Sequence, residues 1–183
     1  LATELGAKPM SLYRHVESKE ALLDGMVDQV VAEMTPASTE LEWREAIRQR
    51  CESARAALVR HPWAIPLMES RSNPGLELLR HHEATLAALT RGGLPLLMIA
   101  HAYALLDSFV YGFAMQEANL PFGGDEQIGE MADEIVSAIP AHLYPYLREF
   151  TADHALRPGY AFGNSFEVGL DLILEGISAS SAE

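Results

Sequence analysis

The sequence predicts an all-α protein, a short N-terminal helical unit followed by a larger helical bundle. Apolar residues recur at three- and four-residue spacing along most of the chain, the signature of amphipathic helices. No stretch alternates with the two-residue period of a strand between hairpin turns. Prolines and glycines fall at Pro62, Pro74, Gly92-Gly93, Pro121 with Gly123-Gly124, Pro140 and Pro158-Gly159, where they end one helix and begin another.

Each element follows from local chemistry. Leu1 to Gly6 reads as a helix end with Gly6 as its C-terminal cap, and a short helix is expected from about Pro9 to Val16. Ser18 is placed to cap the next helix, which carries Ala21, Leu22, Met26, Val30 and Met34 on one face and stops at Thr35-Pro36. That stop divides the chain into 1–35 and 36–183. Helices are then expected at 40–60, 62–70, 74–91, 95–119, 126–138, 142–155 and 164–180. In the last, Phe166, Leu170, Ile173, Leu174 and Ile177 form an apolar stripe, and Gly169 and Gly176 leave room for close helix approach.

Composition narrows the function. With 183 residues, 49% apolar and 21% charged, the chain can bury a core and reads as a soluble globular protein. The single cysteine, Cys51, excludes an intramolecular disulfide and a cysteine zinc site, which fits a reducing cytoplasm. Net charge is −13, against a protein that coats nucleic acid or anionic membrane non-specifically. Yet Ala7 to Lys19 holds Lys8, Arg14 and Lys19 against Glu17 alone, a small cationic patch on an acidic molecule. Leu94 to Met115 is long enough to span a membrane, but it carries Pro95, His101, Asp107 and Ser108 and lacks basic anchors on its C-terminal side. A helix buried in a bundle or dimer explains it, and no membrane partner is expected.

The seven histidines do not suggest a metal, because His81 and His82 are adjacent and diverge on a helix and no His-x-x-x-His pair occurs. No cofactor is expected. No nucleophile elbow, phosphate-binding glycine loop or motif-flanked cysteine suggests an enzyme.

Leu1-Ala2-x-x-Leu5-Gly6, followed by Ser11-Leu12-Tyr13-x-His15-Val16-x-Ser18-Lys19-x-x-Leu22-Leu23, resembles the helix-turn-helix of the tetracycline repressor (TetR) family of bacterial transcription regulators. Two short helices joined by a tight glycine turn let the second enter the major groove while the first braces it. The resemblance implies that Lys8, Pro9, Met10 and Ser11 lie at the groove entrance, that Tyr13 and Arg14 reach bases or backbone, and that His15 and Lys19 sit at phosphates. Arg14 is the candidate for guanine readout. Ser18 and Lys19 at a helix N-terminus also suit an anion, through free N–H groups and the helix dipole. Leu1, Leu5, Leu12 and Val16 would form the unit's mini-core, and Tyr13 and His15 fit either packing or DNA contact. By the family pattern the first helix and the start of the second precede Leu1, so the DNA-binding unit is expected to be incomplete in this sequence.

The closing stretch Phe166-Glu167-x-Gly169-Leu170-Asp171-Leu172-Ile173-Leu174-x-Gly176-Ile177 is similar to the last helix of TetR-like C-terminal domains. The resemblance implies a homodimer through the helices near 95–119 and 164–180, a double-stranded DNA operator of palindromic form, and a small apolar or amphipathic effector. Suitable lining is Trp63, Met68, Leu86, Tyr103, Tyr111 and Phe113, with His82, Asp107 and Gln116 as orienting groups, although aromatics and Met at this spacing also serve as core. Asp107 is the most informative, since a carboxylate inside an apolar helix needs a partner: a ligand, a second subunit or a neighbouring helix. The expected function is a cytoplasmic, effector-released repressor. The alternative is a ligand-binding or protein-interaction bundle without specific DNA binding.

Overall fold

A computed structural model describes residues 6, 15–71, 74–120, 134–157 and 159–180. The described elements are α1 (Lys19–Ala32), α2 (Trp43–Arg60), α3 (Ala64–Ser70), α4 (Leu76–Arg91), α5 (Leu96–Ala118), a helical turn at 134–138, α6 (Pro145–Phe150), a π-helical turn (Thr151–Ala155), a 3-10 turn (Phe162–Asn164) and α7 (Ser165–Ala179). No strand occurs among the described residues. The expected helix from Pro9 to Val16 lies outside them, except for exposed His15 and half-buried Val16, and so do residues 126–133 of the expected helix at 126–138.

Among the described residues, caps and breaks fall where the sequence places them. Ser18 is extended (φ −154°, ψ 172°) and its hydroxyl accepts from the Ala21 amide at 3.0 Å. Gly6 and Gly93 hold φ of 61° and 78°, the left-handed region that glycine enters without steric cost. Pro95 caps α5. Two readings change. The buried stripe of α1 is Val27, Val30 and Val31, continued by Met34 just past its end, whereas Met26 and Ala21 are exposed, so the core face is turned about one residue from the expected one. The helix expected over 142–155 begins at Pro145, because the residue before a proline is disfavoured in helical geometry, and widens after Phe150 where the Leu156 amide reaches the Thr151 carbonyl at 3.0 Å.

The core forms where α2, α4, α5 and α7 meet around Ile47, Leu58, Leu89, Leu106, Val110, Phe166 and Leu170. The α7 stripe is seated as expected, with Phe166, Leu170, Leu174 and Ile177 buried and Ile173 packed beside them. Gly169 lets α7 lie against Phe109 of α5, whose Cζ stands 2.7 Å from where a Cβ would be. Phe109, Phe113, Phe162 and Phe166 stack together, and Arg55 lies over the Phe113 and Phe166 rings while its guanidinium grips Glu117 at 2.6 and 2.8 Å. The second helix face is bare: Leu96, Leu97 and Leu105 on α5 and Val168 and Leu172 on α7 are exposed. Among the described residues α5 is the one helix long and apolar enough to cross a membrane.

α1 joins the bundle through α2, α3 and α4. Its far end is tied to α2 by Glu33, which accepts from Arg60 at 2.8 Å and lies 3.0 Å from His61 Nε2. Arg60 draws the Glu33 carboxyl below its usual range.

Candidate functional site: a polar cluster inside the bundle and an exposed helix start

Two regions carry chemistry. The first lies between α2, α4 and α5. Asp107, central in α5, finds its partner across the helix interface in Arg50 of α2, with Nη2 2.5 Å from Oδ1. Both side chains are withdrawn from water, at 4% and 15% exposure. Burial works against the Arg50 charge, and the Asp107 carboxylate outweighs it, so the guanidinium is held more firmly protonated than usual. Arg50 Nη1 also points at Cys51 Sγ, 3.8 Å away, and burial pushes that thiol's pKa up.

Around this pair stand polar rings. Tyr103, one turn before Asp107, is half-buried, and burial together with the Asp107 carboxylate keeps its phenol neutral far above the ordinary range. His82 on α4 meets the Tyr103 ring edge-on at 5.4 Å. Its neighbour His81 is 3% exposed, and its Nε2 has no hydrogen-bond partner. Burial lowers the pKa of both histidines; the Arg50 charge lowers His81 further, while at His82 the Asp107 carboxylate opposes the fall without reversing it, so both favour the neutral form. The result is a net-neutral, hydrogen-bonding patch within an apolar bundle, one ion pair ringed by neutral imidazole and phenol groups that have donor and acceptor atoms for a small molecule.

The second region is the start of α1. His15 and Lys19 are exposed on either side of Ser18. Glu20 folds back on its own amide and Ser18, which lowers its pKa, so a carboxylate already sits at this helix start and exposed Lys19 supplies the positive charge. Lys8, Pro9, Met10, Ser11, Tyr13 and Arg14 lie outside the described residues.

Residues 35–181 match the family described as the tetracyclin repressor-like C-terminal domain. The chain belongs to the TetR family. It is 33% identical over 189 residues to an HTH-type transcriptional regulator of Saccharopolyspora erythraea, covering 99% of this chain and 75% of that one. It is 28% identical over 198 residues to the HTH-type transcriptional repressor DrrR1 of Streptomyces coeruleorubidus, covering 100% and 70%. The Streptomyces coelicolor TetR-family protein ActR, solved in complex with actinorhodin, superposes with a TM-score of 0.78 at 28% identity, covering 100% of this chain and 85% of that one. This TetR-family chain is therefore a transcriptional regulator and not an enzyme.

Within the TetR bundle, the structure gathers four of the residues expected to line a pocket. His82, Tyr103 and Asp107 meet at the Arg50 pair, and the Tyr111 phenol lies within electrostatic reach of Arg50. The others lie elsewhere. Phe113 belongs to the phenylalanine stack, Met68 is buried in the core, and Trp63 meets His61 edge-on at 6.0 Å and is exposed. Leu86 and Gln116 are exposed. Sequence reasoning missed Arg50 and His81, although both fall on the apolar faces of their helices. A cavity of about 520 Å³ opens away from this cluster, beside α7, lined by His154, Tyr160, Asn164, Ser165, Val168 and Leu172 among others.

Proposed function

We propose that this regulator is a cytoplasmic, homodimeric repressor that binds a palindromic DNA operator through residues 1–35 and releases it when a small apolar or amphipathic effector enters the bundle of residues 36–183. The observation that carries the effector half is the Arg50–Asp107 pair with Tyr103, His81 and His82 around it. A bundle built only for stability gains little from a buried ion pair, since apolar residues of similar volume serve as well. A neutral polar patch in an apolar enclosure instead suits a ligand that is mostly apolar and carries a few oxygen or nitrogen atoms. Trp63, Met68, Leu86, Phe113 and Gln116 stand apart from this cluster and would join the lining only around an effector that extends beyond it. The operator half rests on Lys8, Pro9, Met10, Ser11, Tyr13, Arg14, His15 and Lys19, with Arg14 as the base reader.

Dimerisation is supported by the bare apolar side chains of α5 and α7, which a second copy would cover. Two operator-binding ends about one DNA turn apart, roughly 34 to 36 Å, then read a palindrome. Effector and operator oppose each other by linkage, and moving the DNA-competent population from 99:1 to 1:99 takes about 5.5 kcal/mol of differential effector affinity.

Operator selection tests this reading. The full-length protein is incubated with random DNA, the retained fragments are sequenced, and the selection is repeated with Arg14→Ala. A palindromic site that is lost in the variant and weakened by salt is the expected result. Retention of no preferred sequence would overturn the reading in favour of a ligand- or protein-binding bundle.

A further inference from the structure

We propose that Arg71 is a positioning residue for operator binding: it grips α1 through Asp24 and Asp28 and so fixes the helix that leads to the DNA-facing end of the chain. The proposal rests on the operator reading above. Arg71 follows α3, and its side chain is only 7% exposed. Its Nη1 donates to Asp28 Oδ1 at 2.9 Å, and its Nε lies 2.9 Å from Asp24 Oδ1 as an ion pair whose N–H is not aimed at the oxygen. Asp24 and Asp28 are four residues apart on one face of α1, where two carboxylates repel each other. One guanidinium fork spans both and makes that spacing favourable. An exposed ion pair would be worth little, but this guanidinium is withdrawn from water and shared between two carboxylates.

The start of α4 leaves room for this contact. A Cβ on Gly75 would overlap the Asp28 carboxylate, which would have to swing from its present place beside Arg71. Gly75 has φ −65° and ψ 167°, which any residue adopts, so space and not backbone conformation favours glycine there. Gly75 is also the N-cap of α4, and six residues further along that helix, about 9 Å at helical rise, is buried His81. α1 begins at Ser18 and Lys19, beside the residues proposed to meet DNA.

Two variants reach this contact differently: Arg71→Ala removes the cation, and Gly75→Ala displaces Asp28 without removing a charge. Hydrogen exchange of the full-length protein reads the first link. Each variant is expected to speed exchange of the α1 amides from Asp24 to Val31 at least tenfold while α2 and α5 stay within twofold. Unchanged α1 exchange in both variants, or an equal rise in α2 and α5, overturns the proposal. The second link is read on an operator fragment recovered with the unaltered protein. Both variants are expected to bind it at least tenfold more weakly, with the slope of log affinity against log salt unchanged. Losing a phosphate-binding cation would instead reduce that slope by about one. Unaltered operator affinity, or a reduced slope, overturns the positioning role. If the unaltered protein recovers no operator, the operator reading itself falls and the positioning role with it, whatever the exchange arm reports about α1.

Discussion

Replacing Asp107 with asparagine keeps the shape of the side chain and removes its charge, which leaves the Arg50 guanidinium buried beside a neutral amide. Breaking one side of a buried pair costs about 3–5 kcal/mol. Asp107 retains 15% exposure, so water can partly replace the lost charge and the lower end, about 3 kcal/mol, is the reasoned value. For a protein of this size each kcal/mol moves Tm by about 2–4 °C, so Asp107→Asn should lower Tm by about 6–12 °C. Thermal unfolding followed by far-ultraviolet circular dichroism, at one fixed protein concentration, reads the shift. The double variant Arg50→Met with Asp107→Leu removes both charges and should recover most of the loss, because an apolar pair of similar volume is often neutral or stabilising there. A fall below about 2 °C in Asp107→Asn, or a double variant that falls by the sum of its singles, would refute the account of this pair as a mutually dependent buried contact.

Three further outcomes are expected. The His81 pKa is lowered in the folded chain, so the unfolded chain takes up its proton first; the stability it contributes is present above the ordinary histidine range and is lost as pH falls through and below about 6.5. Denaturant midpoints between pH 7.5 and 5 should fall, and His81→Gln should flatten that fall; equal slopes in both proteins would dismiss His81 as the cause. Gly169→Ala forces Phe109 to move and should cost about 1–3 kcal/mol in denaturant unfolding, whereas an unchanged midpoint would mean the α5–α7 contact yields freely. Cys51 is fully buried with its thiol pKa raised, so a thiol reagent should label the native protein only through opening, far more slowly than the denatured chain. Fast labelling of the native protein would place α2 outside the stable core.

Much of the fold is legible because its determinants are local. Ser18 three residues before a free amide, Pro95 at a helix start and glycine at 93 each fix their own conformation. The α7 stripe is legible because its spacing has one phase. α1 is harder: Leu22, Leu23, Met26, Val27, Val30 and Val31 offer two adjacent phases, and only packing against α3 and α4 selects the valine face. Arg50 reads as one more solvated arginine in a helix with five, yet Ile47, Cys51, Ala54 and Leu58 set its face as inward. That Asp107 required a partner was visible; which residue answered was not, since the two are 57 positions apart and no periodicity encodes a contact between helices. His81 and His82 show the same limit, because adjacent residues point about 100° apart and the stripe through Thr85, Ala88 and Leu89 selects the first. Arg71 with Asp24 and Asp28 left no signal in the sequence.

Asp107 stands at the midpoint of Leu96–Ala118, with eleven residues on either side. On the ribosome, before α2 can supply Arg50, that helix is an emerging apolar segment of spanning length, and targeting machinery judges such segments by composition. A carboxylate at the centre of a span costs about 2.5–3.5 kcal/mol on insertion scales, and toward the ends much less. The same side chain that organises the bundle thus also labels the nascent segment as cargo for the aqueous side. Asp107→Leu in a translation assay with microsomal or inner-membrane vesicles should raise the integrated fraction of this helix, and equal fractions would show that the label is written elsewhere.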